Sequence, residues 1–390
     1  MLPLPVMFSS VRLQNHAATT ILRLASMNAT TASSLESLYH CTDQELDHRI
    51  QAARKTLGDN LVILCHHYQR EEVYKYADLT GDSLKLSRLA SQKSQASFIV
   101  FCGVHFMAEV ADILSNPNQI TILPDLAAGC SMADMADLPQ VEAAWKELGQ
   151  IIDVESQVTP ITYVNSTAEL KAFCGIHQGT VCTSSNAGKI LRWAFSQRPK
   201  VLFFPDQHLG RNSAKQLGIP LEQIVLYQPG LPLGGLTEAA IRNAQVILWN
   251  GYCSVHQMFQ PAHVALFRQR IPDVRIVVHP ECSMEVCDLA DDLGSTEQIQ
   301  QVVRSAPPGS RFAIGTELNL VNRLKHELPD REIHFLCPTI CMCSTMFRID
   351  TQHLCWTLEN LVQGNIVNRI SVPKREAALA KTALERMLAI

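Results

Sequence analysis

Residues 61–67 read LVILCHH, an apolar run of strand length that ends abruptly in polar side chains. A run without alternation has both faces covered, so it reads as a buried parallel strand whose carboxyl end presents polar groups. Outward from it the grammar repeats. The turn and helix GDSLKLSRLASQ, the strand ASFIVFCG, the helix VHFMAEVADIL and the strand ITILP follow in order. Strand and helix alternate as a mainly parallel α/β sheet requires.

Two further units carry the same order. ITYVN, STAELKAFC, TVCTS, NAGKILRWAF, VLFFPD and VILWNGYC form the second, and RIVVHPE, LGSTEQIQQVV, RFAIGTE, LNLVNRLKH and IHFLC the third. The chain divides into a first α/β domain over 36–138, a second over 139–258, a third over 259–350 and terminal helices over 351–390. Within the second, the Pro- and Gly-punctuated stretch from about 205 to 244 reads as an inserted loop or lobe. Ahead of the first, Thr42 caps a helix that begins DQELDHRIQAARKTL. Residues 1–35 hold Arg12 and Arg23, no acidic residue and many Ser, Thr and Ala. That composition suits a transit peptide or a plain extension before Met27.

The 390 residues are 47% hydrophobic and 18% charged, enough for a large buried core in two or three compact units. A net charge of -4 gives no basic field for nucleic acid, and no apolar run approaches the ~18 residues of a membrane span. Small-molecule chemistry is the better fit. Thirteen cysteines in so apolar a chain do not resemble a secreted disulfide scaffold. A reducing compartment is expected: the cytoplasm, or a plastid if residues 1–35 are a transit peptide.

In an open parallel sheet, ligands bind beyond the carboxyl ends of the strands. His66 in CHHYQ, Tyr163 with Asn165 in YVN, and His279 with Glu281 in HPE all fall there. Independent core packing would not readily place polar groups at three such ends. Hydroxyls follow in the turns: Ser83 in GDSL, Ser184 in CTSSNA, and Ser295 with Thr296 in GST. Any one of them is an ordinary helix cap. Three, each before a helix start with its partial positive charge, point to an anionic ligand.

Cys337, Cys341 and Cys343 crowd into HFLCPTICMCSTM, residues 334–346. Such density suits a soft metal or cluster, yet one short segment cannot close a site alone. Cys130 in LAAGCSMAD and Cys253 in WNGYCSVH each follow a strand-like run and a glycine turn. A cluster held by one cysteine from each third of the chain is therefore expected. Cys65, Cys102, Cys174, Cys182 and Cys355 read as small buried hydrophobes. Cys282 and Cys287 lie near HPE without a spacing that demands a role.

CHHYQ with GDSL, FCGVHFMAE, YVN, CTSSNA, WNGYC, HPEC, the GST turn and the final cysteine segment together resemble the A-type quinolinate synthases, from about residue 60 to about 370. The resemblance implies three pseudo-symmetric, three-layer αβα domains with mainly parallel sheets around one 4Fe-4S cluster, held by three cysteines with one iron open. It also implies condensation of iminoaspartate with dihydroxyacetone phosphate to quinolinate, with loss of phosphate and two waters, in NAD biosynthesis. An iminoaspartate-producing enzyme is the implied functional partner. Carried over by motif, the cluster ligands are Cys130, Cys253 and Cys343, and the substrate residues are His66, Tyr68, Ser83, Tyr163, Asn165, Ser184, His279, Glu281, Ser295 and Thr296. Glu281 is the implied base, with Tyr68, Tyr163 and His279 beside it. Two departures stand out. The segment between PDQHLG and WNGYC is longer than the compact family form, and CMCSTM replaces the usual final motif, so that Cys341 competes with Cys343. Spacing to Met346 favours Cys343. Another cluster-dependent hydro-lyase or a non-catalytic iron-sulfur carrier would also use these cysteines, but the carrier needs none of the strand-end groups.

Overall fold

The computed structural model describes residues 34–92, 96–339 and 342–390. The extension read over 1–35 thus lies outside the described residues, but for Ser34 and Leu35, and so does Cys341. Three sheets form the body. In the first, β1 (Leu61–His66), β2 (Leu79–Gly81), β3 (Phe98–Cys102) and β4 (Ile120–Ile122) run parallel in the order β2-β1-β3-β4. The second holds β5 (Val158–Tyr163), β6 (Thr180–Cys182), β7 (Lys200–Phe204), β8 (Ile224–Tyr227) and β9 (Val246–Trp249) in the order β6-β5-β7-β9-β8. The third holds β10 (Arg275–Val278), β11 (Asp292–Leu293), β12 (Arg311–Gly315) and β13 (Glu332–Phe335) in the order β11-β10-β12-β13.

One strand order therefore occurs three times, and the register fixes which residues are equivalent. Cys65, Thr162 and Val278 each pair with the last residue of their sheet's third-entered strand, Cys102, Phe204 and Gly315. The next residues, His66, Tyr163 and His279, occupy one position in three copies. Tyr68, Asn165 and Glu281 occupy another, two residues on.

Both sheet faces are covered, which is why the strands read as unbroken apolar runs. In the third sheet Ile276, Val278 and Ala313 pack to one side, while Val277, Phe312 and Ile314 pack to the other. The first two domains share a continuous core with the C-terminal helices. Helix Thr351–Val362 lies on Asp43–Leu57, joined by Arg49 and Glu359 at 2.7 Å. Thr42 does cap the latter helix, in a reciprocal box with Glu45. Helix Lys374–Ala389 lies on Ala168–Ile176 so closely that a Cβ on Gly175 would come within 2.1 Å of the Leu379 carbonyl oxygen. Between them β14 (Arg369–Ile370) adds an antiparallel edge to β4, a strand that the all-helical reading of 351–390 lacked.

The stretch 205–244 is not an appended lobe. Its helix Gln207–Gln216 is the counterpart of His105–Leu114 and Leu318–Glu327, which follow β3 and β12. β8 pairs along β9, and Tyr227, 3% exposed, stacks on Trp249 at 5.6 Å between ring centres. The Pro and Gly residues build only the turns around this short strand, and they hid it from the periodicity. Tyr227→Ala is expected to cost about 3 kcal/mol in a denaturant titration, in the range of large aromatic core truncations. An unchanged midpoint would restore the lobe reading.

Candidate active site

Beyond the carboxyl ends of the strands lies a cavity of about 610 Å³ of empty space. The sheet order arranges its lining in layers: turns from β2, β6 and β11, then the ends of β1, β5 and β10, then the loops after β4, β9 and β13.

The strand ends supply His66, Tyr68, Tyr163, Asn165, His279 and Glu281, all at the cavity wall. His66 and His279 are built alike. The amide of the residue two positions on, Tyr68 or Glu281, donates to the ring Nδ1 at 3.2 and 3.3 Å. That fixes the neutral tautomer with its proton on Nε2. Burial pushes both rings down to about 3, so each is a neutral donor at pH 7. The Asn165 Oδ1 is buried and has no hydrogen-bond partner among the described residues, an unmet acceptor that a ligand can satisfy.

These two histidines carry a pH signature. Their unperturbed value is 6.5, so between about 3 and 6.5 the unfolded chain binds more protons than the fold. Their share of stability is full above pH 6.5 and falls as pH drops through that window, by up to about 1.4 kcal/mol per pH unit for each ring. Denaturant midpoints at pH 7 and pH 5 should show His66→Asn to be less acid-sensitive than the unaltered chain. Equal sensitivity would show that the ring is charged in the fold.

Glu281 is the most connected group. Its Oε1 accepts from the Tyr163 hydroxyl at 2.5 Å, and its Oε2 lies 2.8 Å from His256 Nδ1. The latter contact is off the hydrogen-bond direction, so its pull is chiefly coulombic. Burial by itself would raise the carboxyl; His256, His279 and Tyr163 outweigh it and bring Glu281 down to about 2. Tyr68 reaches across to the third domain, its hydroxyl 2.7 Å from Thr316 Oγ1 and 3.3 Å from Thr296 Oγ1. Burial pushes both tyrosines well above 10, and the charge of Glu281 adds to it.

Among the turns, Ser83, Ser184 and Thr296 line the cavity, whereas Ser295 does not. Ser295 is a fully buried cap in a reciprocal box with Gln298. Its hydroxyl is 2.7 Å from Ser185 Oγ, which also bonds to Asp82. Ser185 thereby joins the turns of all three domains. Asp82 caps Ser83–Gln92 through the Lys85 amide at 2.9 Å. Helix Ala187–Gln197 has no side-chain cap, because Asn186 Oδ1 turns back to the Thr183 amide at 2.7 Å. Beside Ser184, that helix start is the one best placed for an anion.

Cys130, Cys253 and Cys343 line the same cavity and lie close enough to affect one another's ionisation. Each belongs to one repeated device. A turn leads to a short 3-10 helix, Ala133–Met135, His256–Met258 or Met346–Arg348, and an α-helix follows at Leu138, Pro261 or Thr351. The cysteine carbonyl accepts the amide four residues on at 3.1, 3.0 and 3.0 Å. Amides of Ala133, His256 and Met346 also point at the sulfurs and favour the thiolate. Burial opposes them, and holds the Cys130 thiol at about 12. Three soft donors with aligned amides fit an iron-sulfur group. Cys337 is buried in the third domain's core, as are Cys282 and Cys287. Cys65, Cys102, Cys174, Cys182 and Cys355 are buried too.

Four groups escaped the sequence reading. His256 stacks on His279 at 4.5 Å, and its ring, Cys253 Sγ and Glu281 place ligand atoms within 4.8 Å of one another. Its position three residues after Cys253 was the available signal. Glu317 lines the cavity and burial pushes it up to about 7. Asp206, fully buried, is raised well above the usual carboxylate range by burial and by Glu281. Ser185 sat unremarked beside Ser184.

A family model described as quinolinate synthetase A protein matches residues 48–389. Quinolinate synthase of Rhodopirellula baltica is 55% identical over 359 residues, covering 89% of this chain and 91% of the relative. That of Herpetosiphon aurantiacus is 56% identical over 349 residues, covering 89% and 93%, and that of Corynebacterium glutamicum 53% over 355, covering 91% and 90%.

Proposed function

The chain belongs to the quinolinate synthetase A family and has quinolinate synthase function, and from that premise we propose that it condenses iminoaspartate with dihydroxyacetone phosphate. Phosphate and two waters leave, and quinolinate enters NAD biosynthesis. The observation that carries this reading is the meeting, in one cavity, of three thiols from three domains with neutral imidazole donors and an unmet amide acceptor.

In this proposal Cys130, Cys253 and Cys343 hold a 4Fe-4S cluster. Held by three thiolates, such a group would have one iron without a protein ligand and would supply Lewis-acid chemistry toward a hydroxyl of the substrate, without redox change. His66 and His279 donate from Nε2 to carboxylate or phosphate oxygens. Ser83, Ser184, Thr296 and the uncapped helix start at Ala187 complete the anion contacts, and the Asn165 oxygen orients an N–H or hydroxyl of the substrate. Val104, Phe106, Met132 and Met346 line the wall and keep water out.

Proton transfer falls to Glu281 and Tyr163. Held near 2 by its partners, Glu281 is ionised but weakly basic at rest. An anionic substrate that draws Tyr163 and His279 to itself leaves only His256 to oppose desolvation of the buried carboxylate, which raises its basicity. Tyr68, bridged to Thr296 and Thr316, is the second hydroxyl in reach of the reacting atoms.

The cytoplasm is the proposed compartment, and the enzyme that makes unstable iminoaspartate the proposed functional partner. No helix among the described residues is long and apolar enough to cross a membrane. Anaerobic iron and sulfide analysis coupled to a quinolinate assay tests the whole reading. Quinolinate formed by protein free of iron would sink it, and a different product from a cluster-bearing protein would favour the hydro-lyase.

A further inference from the structure

In each domain the chain runs, two residues past β3, β7 or β12, into the cap of a ten-residue helix. These caps are Val104, Asp206 and Glu317. Each helix start meets the loop that carries the same domain's cysteine. In the first domain the tie is backbone only: the His105 amide donates to the Ala128 carbonyl at 2.8 Å, two residues before Cys130. Val104 offers no polar side chain there.

In the other two domains a buried carboxylate caps the helix, and in the third it also faces the cysteine loop. Glu317 Oε2 accepts the Asn319 amide of its helix at 2.7 Å, while Oε1 faces the Cys343 amide at 3.5 Å. Asp206 Oδ1 accepts the Leu209 amide at 2.7 Å. Its other oxygen is buried without an in-line partner among the described residues, and the Cys253 amide is among the groups that stabilise its charged form.

Capping does not account for this choice. A cap needs one acceptor oxygen, and Asn or Ser serves as well as Asp. A carboxylate buried next to a future thiolate is electrostatically costly, so its use here points to the two-oxygen fork. In Glu317 one arm holds the helix start, and the other, which also accepts from the Asn319 side-chain amide at 3.1 Å, faces the cysteine amide. We propose that Glu317 is a positioning residue for cluster binding, fixing the backbone of Cys343 so that its sulfur is presented before the group arrives. The inference rests on the reading that Cys130, Cys253 and Cys343 hold the cluster.

Glu317→Gln keeps an acceptor for the helix and replaces the oxygen facing the cysteine by an amide donor. The full variant chain and the unaltered chain are loaded anaerobically with iron and sulfide and challenged with a chelator. Cluster bleaching, the electron-paramagnetic signature of the reduced cluster and the thermal midpoint of cluster-free protein are followed. Bleaching about 10-fold faster than in the unaltered chain is expected, within the usual effect of groups that orient metal ligands. The signature should shift and the cluster-free midpoint should hold. Thr42→Ala, a cap with no tie to a cysteine, should lower the midpoint and leave bleaching unchanged. Equal bleaching rates, or rates that rise only with a lowered midpoint, would overturn the proposal. If Glu317→Gln does not fold, Glu317→Asp, which keeps the charge and draws the arm back from the Cys343 amide, decides with the same readouts. An unaltered chain that takes up no iron and sulfide would overturn the ligand reading itself, and this inference with it.

Discussion

Replacing Cys130, Cys253 or Cys343 by serine is expected to reduce bound iron and sulfide to below about a tenth of the unaltered level, with loss of turnover. A serine oxygen is a hard ligand and remains protonated at neutral pH, so each substitution leaves two thiolates for a group that needs three. The aligned amides at Ala133, His256 and Met346 then have no sulfur to stabilise. Cys341→Ser should keep the cluster. The basis is the repeated device: each of the three cysteines precedes its α-helix, at Leu138, Pro261 or Thr351, by the same interval, and Cys341 does not. Anaerobic metal analysis on the four variants decides the matter. A cluster retained in Cys343→Ser and lost in Cys341→Ser would reassign the third ligand.

Glu281→Gln should keep the cluster and the binding of dihydroxyacetone phosphate, and lower quinolinate formation by about 100-fold or more, the usual worth of a general base. Glutamine preserves the size of the side chain and an acceptor for Tyr163, but neither the charge that faces His256 nor the site for a proton. A structural role predicts another result. Glu281 is buried in contact with groups from the second domain and from the Cys253 turn, so a pure brace would lose thermal stability while turnover per folded molecule held. Cluster content, thermal midpoint and anaerobic turnover on one preparation separate the two outcomes. Near-normal turnover would remove Glu281 from the mechanism.

The strand-end positions were legible because strand and helix periodicity are local. LVILCHH, ITYVN and RIVVHPE announce buried strands by composition, and the polar residue that stops each run is the one that reaches the cavity. The cysteine device was also legible in part. Cys-Ser opens all three turns, in CSMADM, CSVHQM and CSTMFR, and that likeness separates Cys343 from Cys341 without a structure. β8 was missed because four residues between Pro- and Gly-rich turns carry no period to detect.

Sequence alone determined the alternation of elements, their threefold order and the residue types that stop each strand, since these follow from nearest neighbours along the chain. Only the tertiary structure decided which of those residues meet. Ser295 proved a buried cap turned to Ser185, because its capping box consumes the groups that an anion would use. Glu281 gained Tyr163 from the end of β5 and His256 from the Cys253 turn, and those distant partners, with its neighbour His279, set its charge. Asp206 and Glu317 look like ordinary caps in sequence. The second oxygen of Glu317 meets the Cys343 amide only when the cysteine loop folds back over the sheet, a long-range closure that local pattern does not encode.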